Sequence, residues 1–224
     1  MRINYVFAVI IIATHIGCAS TRFVVDVSSI KVDNNIGKKV FVAPGNNVSI
    51  NDVQFIEYSG YVKKALVKNG FTIVDSIDES DQVVLLGYAI SGPQSYTESI
   101  PMFGPTGIKS SSTLGHINSS GNYYSSTMYD YNYGITGIKQ VERVYYTRSI
   151  VLIAYDWQLF KKTKKEKQLW QTNIVSEGEC NDLRYVFPFM IIAAEKYIGK
   201  NTRKVITVEV SEYDPRVKEY RDSN

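Results

Sequence analysis

Ser149-Ile150-Val151-Leu152-Ile153-Ala154-Tyr155 is apolar on both alternating faces. Such a segment reads as a strand buried in the middle of a sheet. A second run, Gln82 to Ser91, is almost continuously apolar from Val83 to Ile90 and is bounded by Asp81 and Gly92-Pro93. It predicts another buried strand. Leu169 to Gly178 puts Trp170, Thr172 and Ile174 on one face. It returns from the strand at Val141 to Phe160 across a basic turn, Lys161 to Lys167, so the two form a hairpin.

Working outward, Lys39 to Pro44 is a strand stopped by Pro44-Gly45. Phe55, Tyr58, Val62, Ala65 and Leu66 recur at helical spacing and predict a helix from about Asn51, its N-cap, to Lys68. Phe71 to Val74 is a short strand. Asp182 caps a helix from about Leu183 or Tyr185 to Ile198, ended by Gly199; Pro188 is tolerable there only in the first turn. Lys204 to Val210 is the last strand. The order β-α-β-β-(insertion)-β-β-α-β predicts an α/β (α+β) two-layer sandwich, with two helices on a mixed sheet of about six strands. Strand order does not follow from the sequence.

Residues 38–212 then form one domain, with a charged, frayed tail at 213–224 and a linker at 18–37 holding a short strand near Phe23-Val27. The insertion, about 93–140, is rich in Gly, Ser, Asn and Tyr, and Pro93, Pro101 and Pro105 break its first part. A hairpin around Asn118 to Asn122 would extend the neighbouring strands. Loops near 50 residues are uncommon in compact domains and are usually functional or disordered. Tyr123, Tyr124, Tyr129, Tyr131 and Tyr133 crowd into it and are candidates for partner binding, since tyrosine joins large contact area to a polar tip. The plainer reading is an ordinary exposed strand, which tyrosine also suits.

At the amino terminus Arg2 precedes the apolar run Tyr5 to Ile12, followed by smaller residues, which is the pattern of a secretory signal over residues 1–17. The stretch Ile3 to Ile16 is short for a membrane span and is interrupted by Asn4, Thr14 and His15. His15-Ile16-Gly17-Cys18 resembles the lipobox of bacterial lipoproteins, cut between Gly17 and Cys18 with acylation at Cys18. His15 departs from the usual leucine. Ala19 and Ser20 follow, which the resemblance links to outer-membrane sorting, periplasm-facing or surface-exposed. An ordinary cut after Ala19 would instead release a soluble periplasmic or secreted domain.

Several segments in order resemble the uncharacterised bacterial lipoprotein domain known as domain-of-unknown-function family 4136. They are Asp81-Gln82-Val83-Val84-Leu85, Pro101-Met102-Phe103-Gly104-Pro105, Leu169-Trp170-Gln171-Thr172, Ser176-Glu177-Gly178 and Asp182 to Met190. The likeness runs from about Val40 to Val210 and implies an envelope lipoprotein of mixed fold with no established activity.

The chemistry is sparse. The full chain carries +3, and removing Arg2 with the signal leaves about +2, too near balance to argue for nucleic acid. His116 stands alone in the insertion, so neither a metal site nor a His-based catalytic site is expected. No phosphate-binding glycine loop is present, and no cofactor or small-molecule substrate is implied. Cys180 has Glu177, Glu179 and Asp182 nearby, which disfavour a thiolate. With Cys18 acylated it has no intramolecular partner. Asp26, Asp75, Asp78, Asp81 and Asp156 fall mostly at strand ends and turns. The alternative reading is an envelope hydrolase with an unrecognised carboxylate or serine site, for which Asp156, beside Trp157, is the carboxylate candidate. The lysine turn could meet anionic lipid or polysaccharide, although lysines at hairpin tips commonly serve solubility. The expectation is a non-enzymatic, membrane-anchored module that binds another envelope protein.

Overall fold

A computed structural model of the chain describes residues 22–32, 37–45 and 48–222. The signal segment, Gly17 and Cys18 lie outside the described residues. The elements are β1 (Arg22–Lys31), β2 (Lys39–Pro44), α1 (Val53–Lys68), β3 (Thr72–Ile73), a 3-10 turn (Ile77–Glu79), β4 (Gln82–Ile90), β5 (Gln94–Ile117) and β6 (Tyr123–Asp156), then α2 (Trp157–Thr163), β7 (Gln168–Gly178), α3 (Leu183–Ala194), β8 (Ile206–Ser211) and α4 (Pro215–Arg221). The class is mixed α+β, dominated by sheet. The described residues hold eight strands and four α-helices, more than the six and two expected.

Two units divide the chain, Met1–Gly92 with Tyr145–Asn224, and Pro93–Val144. In the first, the strand order is β3-β2-β4-β6-β7-β1-β8. The β2 pairings with β3 and β4 are parallel and the rest are antiparallel. The segment Ser149–Tyr155 lies mid-sheet, with Leu152 opposite Leu86 on β4 and Thr172 on β7. One set of alternating residues, including Val84, Leu86, Ile150, Leu152, Trp170 and Ile174, joins α1 and α3 in the core. Phe187 stacks on Tyr58 at 4.0 Å and Phe23 on Phe189 at 4.2 Å.

Several expectations need correction. The short strand expected near Phe23-Val27 in the linker is longer: residues 22–31 form β1, paired to both β7 and β8. Phe23, Val25 and Val27 are buried while Asp26 faces outward and accepts from Thr207 Oγ1 at 2.6 Å, so the strand's polar alternation is that of a half-covered sheet. The cap of α1 is Asp52, whose Oδ1 takes the Phe55 amide at 2.9 Å, not Asn51. The central strand stops at Asp156, because its carboxylate caps α2 through the Leu159 amide at 2.9 Å and so starts a helix where strand and turn were expected. Pro188 sits inside α3 beyond the first turn, where a proline costs ~3 kcal/mol; burial of every residue from Val186 to Ala194 outweighs it. The tail folds as α4, capped by Asp214 and anchored by buried Val217 and Tyr220.

The second unit is a two-stranded ribbon of β5 with the first part of β6. Its turn falls at Asn118 to Asn122, as the sequence suggests. Asn118 N–H donates to Asn122 O at 3.0 Å, the Asn118 side chain accepts from the Ser120 and Asn122 amides, and Gly121 adopts φ 79°. Pro101 and Pro105 do not break β5. Pairing at Asn118, carried along the strand by its two-residue alternation, turns the even-numbered amides of β5 toward β6. Residues 101 and 105 therefore face the open edge, where the missing N–H costs no ladder bond.

Candidate functional site

The ribbon brings four of the five candidate tyrosines together. Residues two apart share a strand face, so Tyr123, Tyr129, Tyr131 and Tyr133 line one side of β6 and Tyr124 the other. The rings of Tyr129 and Tyr131 are 6.4 Å apart. Tyr123 covers Gly115, where a Cβ would meet its hydroxyl at 2.6 Å. The opposite face carries Met102, Ile108, Met128 and Ile138.

Almost nothing in the ribbon is buried. Phe103 is 73 % exposed, Leu114 75 % and Tyr133 75 %. What holds the strands side by side, beyond the ladder, is a set of exposed cross-strand pairs: Thr113–Thr127 at 3.0 Å, Ser99–Gln140 at 3.0 Å, Lys109–Asp130 at 3.4 Å and Arg143–Glu98 at 3.1 Å. Exposed ion pairs contribute about 0–1 kcal/mol each. A lone two-stranded ribbon is marginal in water, and clustered exposed aromatics are a signature of contact surfaces.

A second feature was not foreseen. In the first unit, Val83, Leu85, Gly87, Val151 and Ile153 occupy the sheet face opposite the α1–α3 core. With Trp157 and Phe160 of α2 they line a cavity of about 590 Å³. The two rings stack at 5.2 Å. Trp157 Nε1 is buried and has no hydrogen-bond partner. The signal was in the sequence: Gly87 interrupts an apolar strand, which marks close approach or open space, and Ser149–Tyr155 is apolar on the face the two expected helices do not cover.

Three of the candidate acids hold structural contacts. Asp156 caps α2, Asp81 Oδ2 accepts from the Lys39 amide at 3.0 Å, and Asp26 holds Thr207. His116 is exposed on β5. In the lysine segment, Lys161 Nζ donates to Asp78 O at 2.8 Å. Cys180 is buried and, in the full-length unacylated chain, disulfide-bonded; the expectation that it stands alone applies to a chain acylated at Cys18. Among the described residues no cluster of three or more His, Cys, Asp or Glu could hold a metal ion, and no helix is long and apolar enough to cross a membrane.

No family model matches the chain. No curated protein matches it. Among solved structures the chain is similar to a PDZ domain protein from Parabacteroides distasonis, at 12 % identity and a TM-score of 0.37. The match covers 85 % of this chain and 39 % of that one, and at this score it carries no argument about fold or function.

Proposed function

We propose that this chain is a lipid-anchored envelope protein without enzymatic activity, whose two-stranded ribbon docks another envelope protein. The observation that carries the reading is the ribbon: long, exposed on both faces, and bearing Tyr129, Tyr131 and Tyr133 in a row. Pro101 and Pro105 remove two donors from the β5 edge, so face contact with the tyrosines is favoured over strand addition. The anchor rests on the likeness of His15 to Cys18 to a lipobox, and the envelope setting on the likeness to family 4136.

The sulfur of Cys18 has two exclusive fates, because Cys18 and Cys180 are the chain's two cysteines. A thioether to diacylglycerol would leave Cys180 reduced; an intramolecular disulfide belongs to a chain that escaped lipidation. Two or three acyl chains bind a membrane firmly where one binds marginally.

The test replaces residues 93–144 with an Asn-Gly turn joining β4 to the rest of β6. The proposal expects the variant to fractionate with membranes and melt cooperatively while losing its cross-linked partner. Retention of the same partner would contradict it.

A further inference from the structure

We propose that the end of the first unit's sheet at which β1 begins is a membrane-facing surface, with the ring of Tyr213 seated in the headgroup layer of a phospholipid bilayer. The inference rests on the proposed anchor at Cys18 and goes beyond it, because a tether by itself does not choose which side of a protein meets the membrane.

The tether is short. Ala19, Ser20 and Thr21 separate Cys18 from Arg22, the first residue of β1. Four steps of extended chain span at most about 14 Å. An acylated cysteine is held at the membrane, so Arg22 stays within that distance of it. Ser29 lies seven residues further along β1, about 23 Å away at 3.3 Å per residue. The turn after α3 sits at that far end: Thr202 N–H donates to Ser29 O at 2.9 Å and Gly199 N–H to Thr172 Oγ1 at 3.3 Å.

Two loops flank the near end. Arg22 stands opposite Ser211, the last residue of β8, and Val25 opposite Ser176, close to the end of β7. The turn after β8 and the loop between β7 and α3 therefore surround the start of β1. Cys180 belongs to that loop and is disulfide-bonded in the unacylated chain, whose other cysteine is Cys18. The tether thus reaches this end of the sheet.

The chemistry of the turn fits an interface. Tyr213 is 81 % exposed. Its backbone is fixed, since Tyr213 N–H donates to Ser211 Oγ at 3.2 Å and Asp214 N–H to Ser211 O at 3.0 Å. An exposed tyrosine ring, apolar with a polar tip, suits the headgroup level of a bilayer. The neighbouring acids are bonded to the protein. Glu212 accepts from Tyr185 O–H, Asp214 pairs with Arg216 at 2.7 Å, and Asp182 Oδ1 accepts from the Tyr185 amide at 3.1 Å. These carboxylates are therefore not left to face lipid phosphates.

The test places an environment-sensitive fluorescent amino acid at position 213, or at exposed position 200 of the far end, in the full-length chain. Each protein is matured in cells, weighed for acyl groups and reconstituted into vesicles of phosphatidylethanolamine and phosphatidylglycerol, with and without lipid spin-labelled near the headgroup. Position 213 should emit at shorter wavelength and be quenched at least threefold more strongly than position 200. Equal quenching at the two positions, or stronger quenching at 200, in an acylated chain that floats with the vesicles overturns the proposal and leaves the anchor standing. A chain that carries no acyl groups and stays in solution removes the anchor, and the proposal with it.

Discussion

Arg148 lies directly against Gly178: a Cβ at residue 178 would come within 2.9 Å of the guanidinium. The guanidinium is buried, and it donates to Ser176 O, Cys180 O and Ser176 Oγ, each at 3.3 Å. Burial lowers its pKa, and the group remains a cation held by neutral acceptors. Gly178→Ala therefore displaces a bonded charge and should cost about 1–3 kcal/mol. In Arg148→Met the same alanine should cost much less. Urea unfolding of the two single variants and the double variant measures that coupling.

Buried phenols set the alkaline limit of the fold. Burial pushes Tyr58 up to about 12, burial together with the Glu212 carboxylate pushes Tyr185 up to about 12, and burial with Glu195 raises Tyr220 further. In the unfolded chain each titrates near 10. A raised folded pKa stabilises below the unfolded value, and that contribution is lost as pH rises through the folded one. Stability measured by denaturant titration should fall between about pH 10 and 12. Tyr58→Phe, which loses only the bond from Gln54 Nε2 at 3.1 Å, should flatten part of that slope.

The carboxyl-terminal helix α4 is structural. Tyr220 O–H donates to Glu195 at 2.7 Å, its carbonyl accepts from Lys64 Nζ at 2.6 Å, and Lys68 Nζ lies 4.7 Å from its ring centroid. Tyr220→Ala should cost about 3 kcal/mol by loss of a buried aromatic, and Tyr220→Phe about 1 kcal/mol by loss of one hydrogen bond. Thermal midpoints of the two variants check the difference.

What was legible in the sequence follows from what a strand or helix needs locally. The runs at 82–90 and 149–155 announce themselves because both faces are apolar, and the Asn118–Asn122 turn because its side-chain bonds are local. The strand character of Phe23-Val27 is legible, but the extension of β1 to Lys31 is not, because the polar residues of a half-covered sheet resemble a linker until pairing with β7 and β8 is known. Seven-residue α2 has no apolar stripe long enough to read, and its start depends on one cap, Asp156. The hairpin at Asn118–Asn122 is legible, but the reach of β5 back through Pro101 and Pro105 to Gln94 is not, since which amides face an open edge depends on pairing. The same holds for the grouping of four tyrosines apart from Tyr124, and for the cavity, which needs β4 beside β6.

The fate of Cys18 is decided by mass. Intact mass of the membrane-associated chain should show a polypeptide starting at Cys18 with two or three acyl chains and a reduced Cys180. Cys18→Ala should abolish the adduct and release the chain from the membrane. A soluble chain 2 Da below its reduced mass would place Cys18 in the disulfide and remove the anchor.

The most direct test of the account is photo-cross-linking in cells with a diazirine amino acid at position 129, 131 or 133. The account predicts one product of common mass from all three positions, formed without a product from position 162 on α2. No product from the tyrosine face, or the same products from position 162, would contradict the ribbon as a docking surface.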